Sequence, residues 1–308
     1  NGSPVTMPWK DKVKGIVEAY LGGQAVGKAV VNILYGNVNP SGRLAETFPL
    51  RLEDTPCYLT YGKGVDEAVY SEGVFVGYRY YTSKKQEVLF PFGYGLSYTT
   101  FTYSNLKLDQ SAMTDQEVLT VSVDVENTGN RAGKEVVQIY VAPGESETAR
   151  PVKELKAFDK IELAPGEKKT VVFELDARAF AYWNTEIHDW FVESGVYEIQ
   201  VGKNAEAVLL SAPVQVEGTK KIKKIYTLNT CMGELMRDEK AGSIFGQMMG
   251  GNRQASEMAE ASQEDSSGAV NAEMMAAMMN DMPLRQLLSF VPGMTREALE
   301  QILAAVNQ

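Results

Sequence analysis

The chain has 308 residues, 44% of them apolar, which leaves room for about two domains at roughly 100–200 residues each. Its formal net charge of −10 sets it against nucleic acid and anionic membrane surfaces, whose phosphates would repel it. A single histidine and two widely separated cysteines, Cys57 and Cys231, provide neither a zinc site nor a disulfide framework.

Apolar runs are too short to span a bilayer, the cysteines read as reduced thiols, and the expected location is cytoplasmic. In chain order, residues 2–9 read as the exit from a buried strand, ended by Pro4 and Pro8, with Trp9 packing in a core. Val13, Ile16, Val17 and Tyr20 fall at helical spacing and predict an amphipathic helix stopped by Gly22-Gly23. A second helix follows, with Val26, Val30, Ile33 and Leu34 on its apolar face and Gly36 at its end. The run Gly22-Gly23-Gln24-Ala25-Val26-Gly27-Lys28-Ala29 approaches a phosphate-binding loop but is rejected: Ala29 lacks the hydroxyl that would hold magnesium, and the segment follows an expected helix, not a strand. Asn39-Pro40 and Ser41-Gly42 then make a double turn into a short strand over 45–49.

Residues 70–101 are the most distinctive stretch. Residues 74–81 are rich in β-branched and aromatic side chains and predict a strand, with Gly77 marking a bulge or a close backbone approach. Phe92-Gly93-Tyr94-Gly95-Leu96 reads as a glycine-permitted turn. Glu72 is the one candidate acid here. Its expected role is structural, in an ion pair with a nearby arginine (Arg79 lies seven residues on). Such a partner would lower its pKa, whereas a general acid needs the opposite shift.

From 117 to 217 the period changes to two, with strands expected over 119–125, 136–141, 157–163, 170–175, 191–202 and 208–216. That regularity predicts an immunoglobulin-like sandwich. Trp183, Trp190 and His188 fall together; a core tryptophan and a solvated histidine are expected in preference to a carbohydrate platform. Beyond Cys231, Arg237-Asp238-Glu239-Lys240 makes a charged break and 250–268 reads as a linker. Met274, Met275, Met278, Met279 and Met282 form a stripe expected to dock on the chain's own body. Pro283-Leu284-Arg285 opens another helix, and Thr295 caps a last one running to Val306.

The pattern Y-x-E-G-x-x-V-G-Y-R-Y-Y at 70–81, followed by F-P-F-G-Y-G-L-S-Y-T-x-F at 90–101, resembles glycoside hydrolase family 3. The G-x-x-N-P-S-G-R-L run at 36–44 is similar to that family as well, although Ala45 stands where the family has proline, and Tyr20-Leu21-Gly22-Gly23-Gln24-Ala25 departs from its W-x-P-G-Q-E pattern. The resemblance implies the end of an α/β sandwich domain over 1–108, a fibronectin type III-like β-sandwich over 109–218 and a linker with a Met-rich helical tail over 219–308. It further implies part of a retaining β-glucosidase-like enzyme that acts on carbohydrate and needs no cofactor. Such enzymes use two carboxyl groups about 5–5.5 Å apart. The family's nucleophile aspartate, in a Ser-Asp-Trp-like motif on an N-terminal (β/α)8 barrel, and its acid/base glutamate, in a G-E-G-x-D-R-like loop, have no counterpart here. Both are expected upstream, and this chain is expected to cover the barrel and wall the site. The alternative is a non-catalytic module that pairs with a separate barrel-bearing chain.

Overall fold

The computed structural model describes residues 1–62, 64, 66–250 and 277–308, which fall into two units, Asn1–Lys221 and Ile222–Gln308. In the first unit, the period-two stretches become a sandwich of two antiparallel-rich sheets. One has three strands in the order β3-β5-β8, made of Phe101–Leu108, Leu119–Asn127 and Lys168–Leu175. The other has five in the order β4-β12-β11-β6-β7, made of Ala112–Thr114, Val208–Glu217, Gly195–Gly202, Gly133–Pro143 and Glu154–Leu163.

Alternation explains the core. Leu119, Val121, Val123 and Val125 point inward from β5 and are fully buried, facing Val137, Ile139 and Val141 of β6 and Ile199 and Val201 of β11. Each such side chain contributes about 1.5–3 kcal/mol on burial, so this layer carries the sandwich. The run expected over 191–202 divides at 192–194 into β10 (Asp189–Phe191), which pairs with β9 (Tyr182–Asn184), and β11; a single turn, α3 (Ala177–Phe180), leads from β8 into β9. β3 escapes the alternation rule because Asn105 sits at φ 54° and shifts the register between Ser104 and Lys107. This strand, placed before the 108/109 boundary by the sequence, pairs with β5 inside the sandwich.

Residues 1–100 are built differently. α1 (Val26–Leu34) forms where expected, yet none of its residues is buried. β1 (Phe48–Pro49) and β2 (Val88–Phe90) pair only with each other. Two expectations fail here. Residues 13–20 form no helix: only a 3-10 turn, Lys10–Lys12, precedes them, and Tyr20 has a φ of 45°. β-Branched Val13, Ile16 and Val17 around Gly15 are poor helix formers, and their apolar periodicity finds nothing to pack on. With that helix gone, the near-miss phosphate loop is excluded on Ala29 alone, whose N–H is spent on Ala25 O inside α1.

The second failure is the strand over 74–81. The chain instead turns at 71–74, and α2 (Tyr78–Lys84) starts at Gly77, whose φ of 56° and ψ of −135° suit glycine alone. A Cβ at Gly77 would meet nothing within 4 Å, so the requirement is conformational and not a close approach. The helix wins because its register sends Tyr81 into a buried site and lays Tyr78 on Phe92 at 4.6 Å.

The second unit is a helical body. α4 (Met232–Arg237) and α5 (Glu239–Gly250) meet at Asp238, which accepts from Tyr226 Oη at 2.8 Å and from Ala241 N at 2.9 Å. A 3-10 turn at Leu284–Gln286 leads into α6 (Leu287–Phe290), and α7 (Arg296–Val306) is capped by Thr295, whose Oγ1 accepts from Ala298 N at 3.2 Å. Leu235, Leu284, Leu299 and Leu303 centre its core. Of the methionine stripe, Met282 packs against that core and Met278 and Met279 are exposed; Met274 and Met275, like nearly all of the expected linker, lie outside the described residues.

Candidate functional site

The signature residues converge on the seam between 36–101 and the sandwich. Gly93 has a φ of 80° and donates its N–H to Leu44 O at 2.7 Å, while Leu44 N donates to Tyr94 O at 2.8 Å. This clips the two motifs together. A Cβ at Gly95 would lie 2.5 Å from Gly42 O, so the second glycine of the turn is required by backbone contact. Buried Gln138 of β6 donates Nε2 to Gly93 O at 3.2 Å and to Lys203 O at 3.1 Å, and its Oε1 accepts from Tyr140 Oη at 2.7 Å. Asn39 works alike: Oδ1 accepts from Tyr98 N at 2.8 Å and Ser97 Oγ at 3.0 Å, and Nδ2 donates to Ala132 O at 3.0 Å.

At the centre of the seam is an ion pair. Arg43 of the Ser41-Gly42-Arg43 turn donates Nη2 to Glu135 Oε2 at 2.5 Å, with side chains 7% and 1% exposed. Tyr103 Oη donates to Glu135 Oε1 at 2.8 Å. Burial, and then the charge of Glu135, push the Tyr103 phenol far above its ordinary range.

Glu72 lines a cleft of about 660 Å³ with Phe75, Tyr80, Lys84 and Arg150. The expected ion pair of Glu72 with a nearby arginine does not form among the described residues. Arg79 Nη2 reaches Glu154 Oε1 at 2.8 Å instead, because α2 turns its side chain towards β7. The cations of this cleft are engaged elsewhere: Lys84 Nζ donates to Tyr80 Oη at 2.7 Å, and Arg150 binds Phe180 O at 2.9 Å and Glu193 Oε2 at 3.3 Å. Glu72 Oε2 is buried without a donor among the described residues.

The tryptophans are brought together but not into a core. Trp183 and Trp190, 49% and 37% exposed, face each other across β9 and β10 with ring centroids 5.4 Å apart. Arg178 lies 3.1 Å from the Trp190 ring centroid, which covers one face with a cation. They stay outside because β9 and β10 form a separate two-stranded ribbon rather than a layer of the sandwich. His188 is exposed at the turn with a φ of 49°, in keeping with a solvated histidine. Trp9, expected in a core, is also exposed. Among the described residues no group of three or more His, Cys, Asp or Glu could hold a metal ion, and no helix is long and apolar enough to cross a membrane. Sequence reading missed Arg43–Glu135 and Gln138, whose partners lie 92 and 45 residues away.

Known proteins share this architecture. The profile of the glycosyl hydrolase family 3 C-terminal domain matches residues 1–98, and that of the fibronectin type III-like domain matches 135–205. A thermostable β-glucosidase B from Acetivibrio thermocellus is 48% identical over 308 residues, all of this chain and 40% of that protein. An exo-α-(1→6)-L-arabinopyranosidase from Bifidobacterium breve is 43% identical over 231 residues, 75% of this chain and 30% of its own length. The crystal structure of a Bifidobacterium adolescentis GH3 β-glucosidase superposes with a TM-score of 0.72 at 40% identity, covering 79% of this chain and 36% of that one. The chain therefore spans less than half the length of these relatives. With its two characteristic domains joined through the glycine-clipped seam, it belongs to glycoside hydrolase family 3 as the C-terminal portion of such an enzyme.

Proposed function

We propose that this chain supplies the supporting domains of a retaining β-glucosidase-like hydrolase, which cleaves terminal non-reducing β-D-glucosyl residues. Its partners are a barrel-bearing N-terminal part and a β-glucoside or related oligosaccharide. The catalytic aspartate and glutamate belong to the upstream part, and Glu72 is a wall residue rather than an acid. One observation carries this reading beyond similarity. Val13, Val17, Leu21, Val31, Leu34 and Tyr35 are all exposed on the segment that matches the family 3 C-terminal domain, and α1 buries nothing. Apolar surface on that scale is the mark of a missing partner. In this reading 1–108 ends the α/β sandwich domain, 109–218 is the fibronectin type III-like domain and 219–308 the tail. β3 reaches across the first boundary. Both cysteines are free thiols, which supports a reducing, cytoplasmic setting.

One relative carries the name of an arabinopyranosidase, so two glycones are compared. The test is hydrolysis of aryl β-glucoside and aryl α-L-arabinopyranoside by the chain alone and after mixing with the N-terminal part of the Acetivibrio thermocellus β-glucosidase B. Silence alone and hydrolysis after mixing are expected. Turnover by the chain alone would overturn the upstream placement of the catalytic pair. Binding to the added part without turnover would favour the non-catalytic assembly module.

A further inference from the structure

Behind the C-terminus of α2 lies a second cleft, of about 490 Å³, lined by Tyr81, Lys85, Glu87, Lys153, Gln200 and Glu206 among others. That volume is within the ~300–1,000 Å³ of small-molecule sites. Lys153 is 8% exposed and lies on the cleft wall just before β7. Its Nζ stands 5.5 Å from the Tyr140 ring centroid, and it has no hydrogen bond or ion pair among the described residues. Burial lowers its pKa, which the charges of Glu206 and Glu198 only partly offset. Gln200, on the same wall, donates Nε2 to Glu198 Oε2 at 2.5 Å. That bond fixes the amide's orientation and leaves Oε1 buried without a donor. Burial also raises the pKa of Glu206.

Three groups thus share one cleft: a mostly buried ammonium whose contact is the Tyr140 ring, a buried amide acceptor without a donor, and the solvent-exposed carboxylate of Glu206 at its rim. A buried ammonium without a hydrogen bond is costly even over a ring face, and a buried polar group with no partner calls for a ligand or an ordered solvent. The chemistry of the walls selects among ligands. An anion would satisfy Lys153 but be repelled by Glu87 and Glu206. A cation would be repelled by Lys153 and Lys85. Neutral hydroxyls both accept from the ammonium and donate to the amide and carboxylates. We propose that the Lys153–Gln200–Glu206 cleft is a binding site for a small neutral polyhydroxylated molecule, a sugar or polyol, formed wholly within this chain. It does not depend on the upstream catalytic pair.

The test is a ligand-observed NMR titration of the 308-residue chain with myo-inositol and D-glucose, neither of which carries a glycosidic bond to be cleaved. Saturable binding at millimolar concentration is expected, weakened at least tenfold in Lys153→Met and unaltered in Lys107→Met. Gln200→Leu provides a second variant in case Lys153→Met fails to fold, and it too should weaken binding at least tenfold. Signal that never saturates, or binding that survives both cleft variants, would overturn the site. Preferential saturation by acetate or phosphate would overturn the neutral class of ligand.

Discussion

The buried Arg43–Glu135 pair offers a direct test of what joins the signature loop to the sandwich. Arg43→Met keeps the length of the side chain but removes the cation, leaving a 1%-exposed carboxylate with only the Tyr103 hydroxyl as a charge-stabilising partner. Breaking one side of a buried ion pair costs about 3–5 kcal/mol, because the other charge stays desolvated. At a urea slope of about 1–3 kcal/mol/M, the transition of the sandwich should fall by at least ~1 M. Trp183 and Trp190 fluorescence reports it. Glu135→Gln should cost a similar amount, since Arg43 is left as the uncompensated charge. The double variant Arg43→Met/Glu135→Gln removes both charges and keeps an acceptor for Tyr103, so its cost should fall short of the sum by ~2 kcal/mol or more. Additivity within ~0.5 kcal/mol, or single costs below ~1 kcal/mol, would refute the claim that the two charges act as one unit.

Other outcomes follow from the same seam and its neighbours. Gly95→Ala drives a Cβ to 2.5 Å from Gly42 O and should lower stability by about 1–3 kcal/mol, measured by thermal unfolding. Fully buried Asn127 accepts from Thr99 Oγ1 at 2.7 Å and donates to Leu163 O at 3.0 Å and Arg131 O at 2.7 Å. Asn127→Ala orphans these groups and should cost at least ~1–3 kcal/mol in denaturant titration. Hydrogen bonds from Thr170, then Asn105 and Lys168, hold the Asp124 carboxyl well below its usual pKa. A folded pKa below the unfolded value of about 3.9 means stability that is present above pH 4 and lost as pH falls further; Asp124→Asn should flatten that acid limb. In the helical unit, Thr295→Ala should cost ~1 kcal/mol through loss of the α7 cap, read as a lower helical melting temperature by circular dichroism.

What the sequence disclosed depended on whether local pattern and tertiary partner agreed. Leu119, Val121, Val123 and Val125 alternate because one side of their strand is core, so β5 could be read without a structure. Val13, Ile16 and Val17 follow a helical period with no core to enforce it, and the backbone ignored it. Tyr78 and Tyr81 have strand propensity, but a positive-φ glycine, the burial of Tyr81 and two ring contacts overrode it. Gly93 and Gly95 were legible as a turn, whereas their reasons, Gln138 and Gly42 O, lie on other segments. Lys153 looks like any surface lysine in a line of letters. Only the fold reveals that it is buried against the Tyr140 ring, without an ion pair among the described residues.

Gln138 sets an order of assembly. It holds Gly93 O and Lys203 O at once, joining points 110 residues apart in the sequence, and neither grip exists until β6 lies in its sheet. Closing so long a loop early costs chain entropy, which predicts that the sandwich forms first and then captures the turn. On the ribosome the turn is made before its captor. The turn within the run from Tyr70 to Phe101 lacks its Gln138 clasp until β6 and the strands beside it have been added. That interval is a window in which its aromatic side chains are open to misassociation.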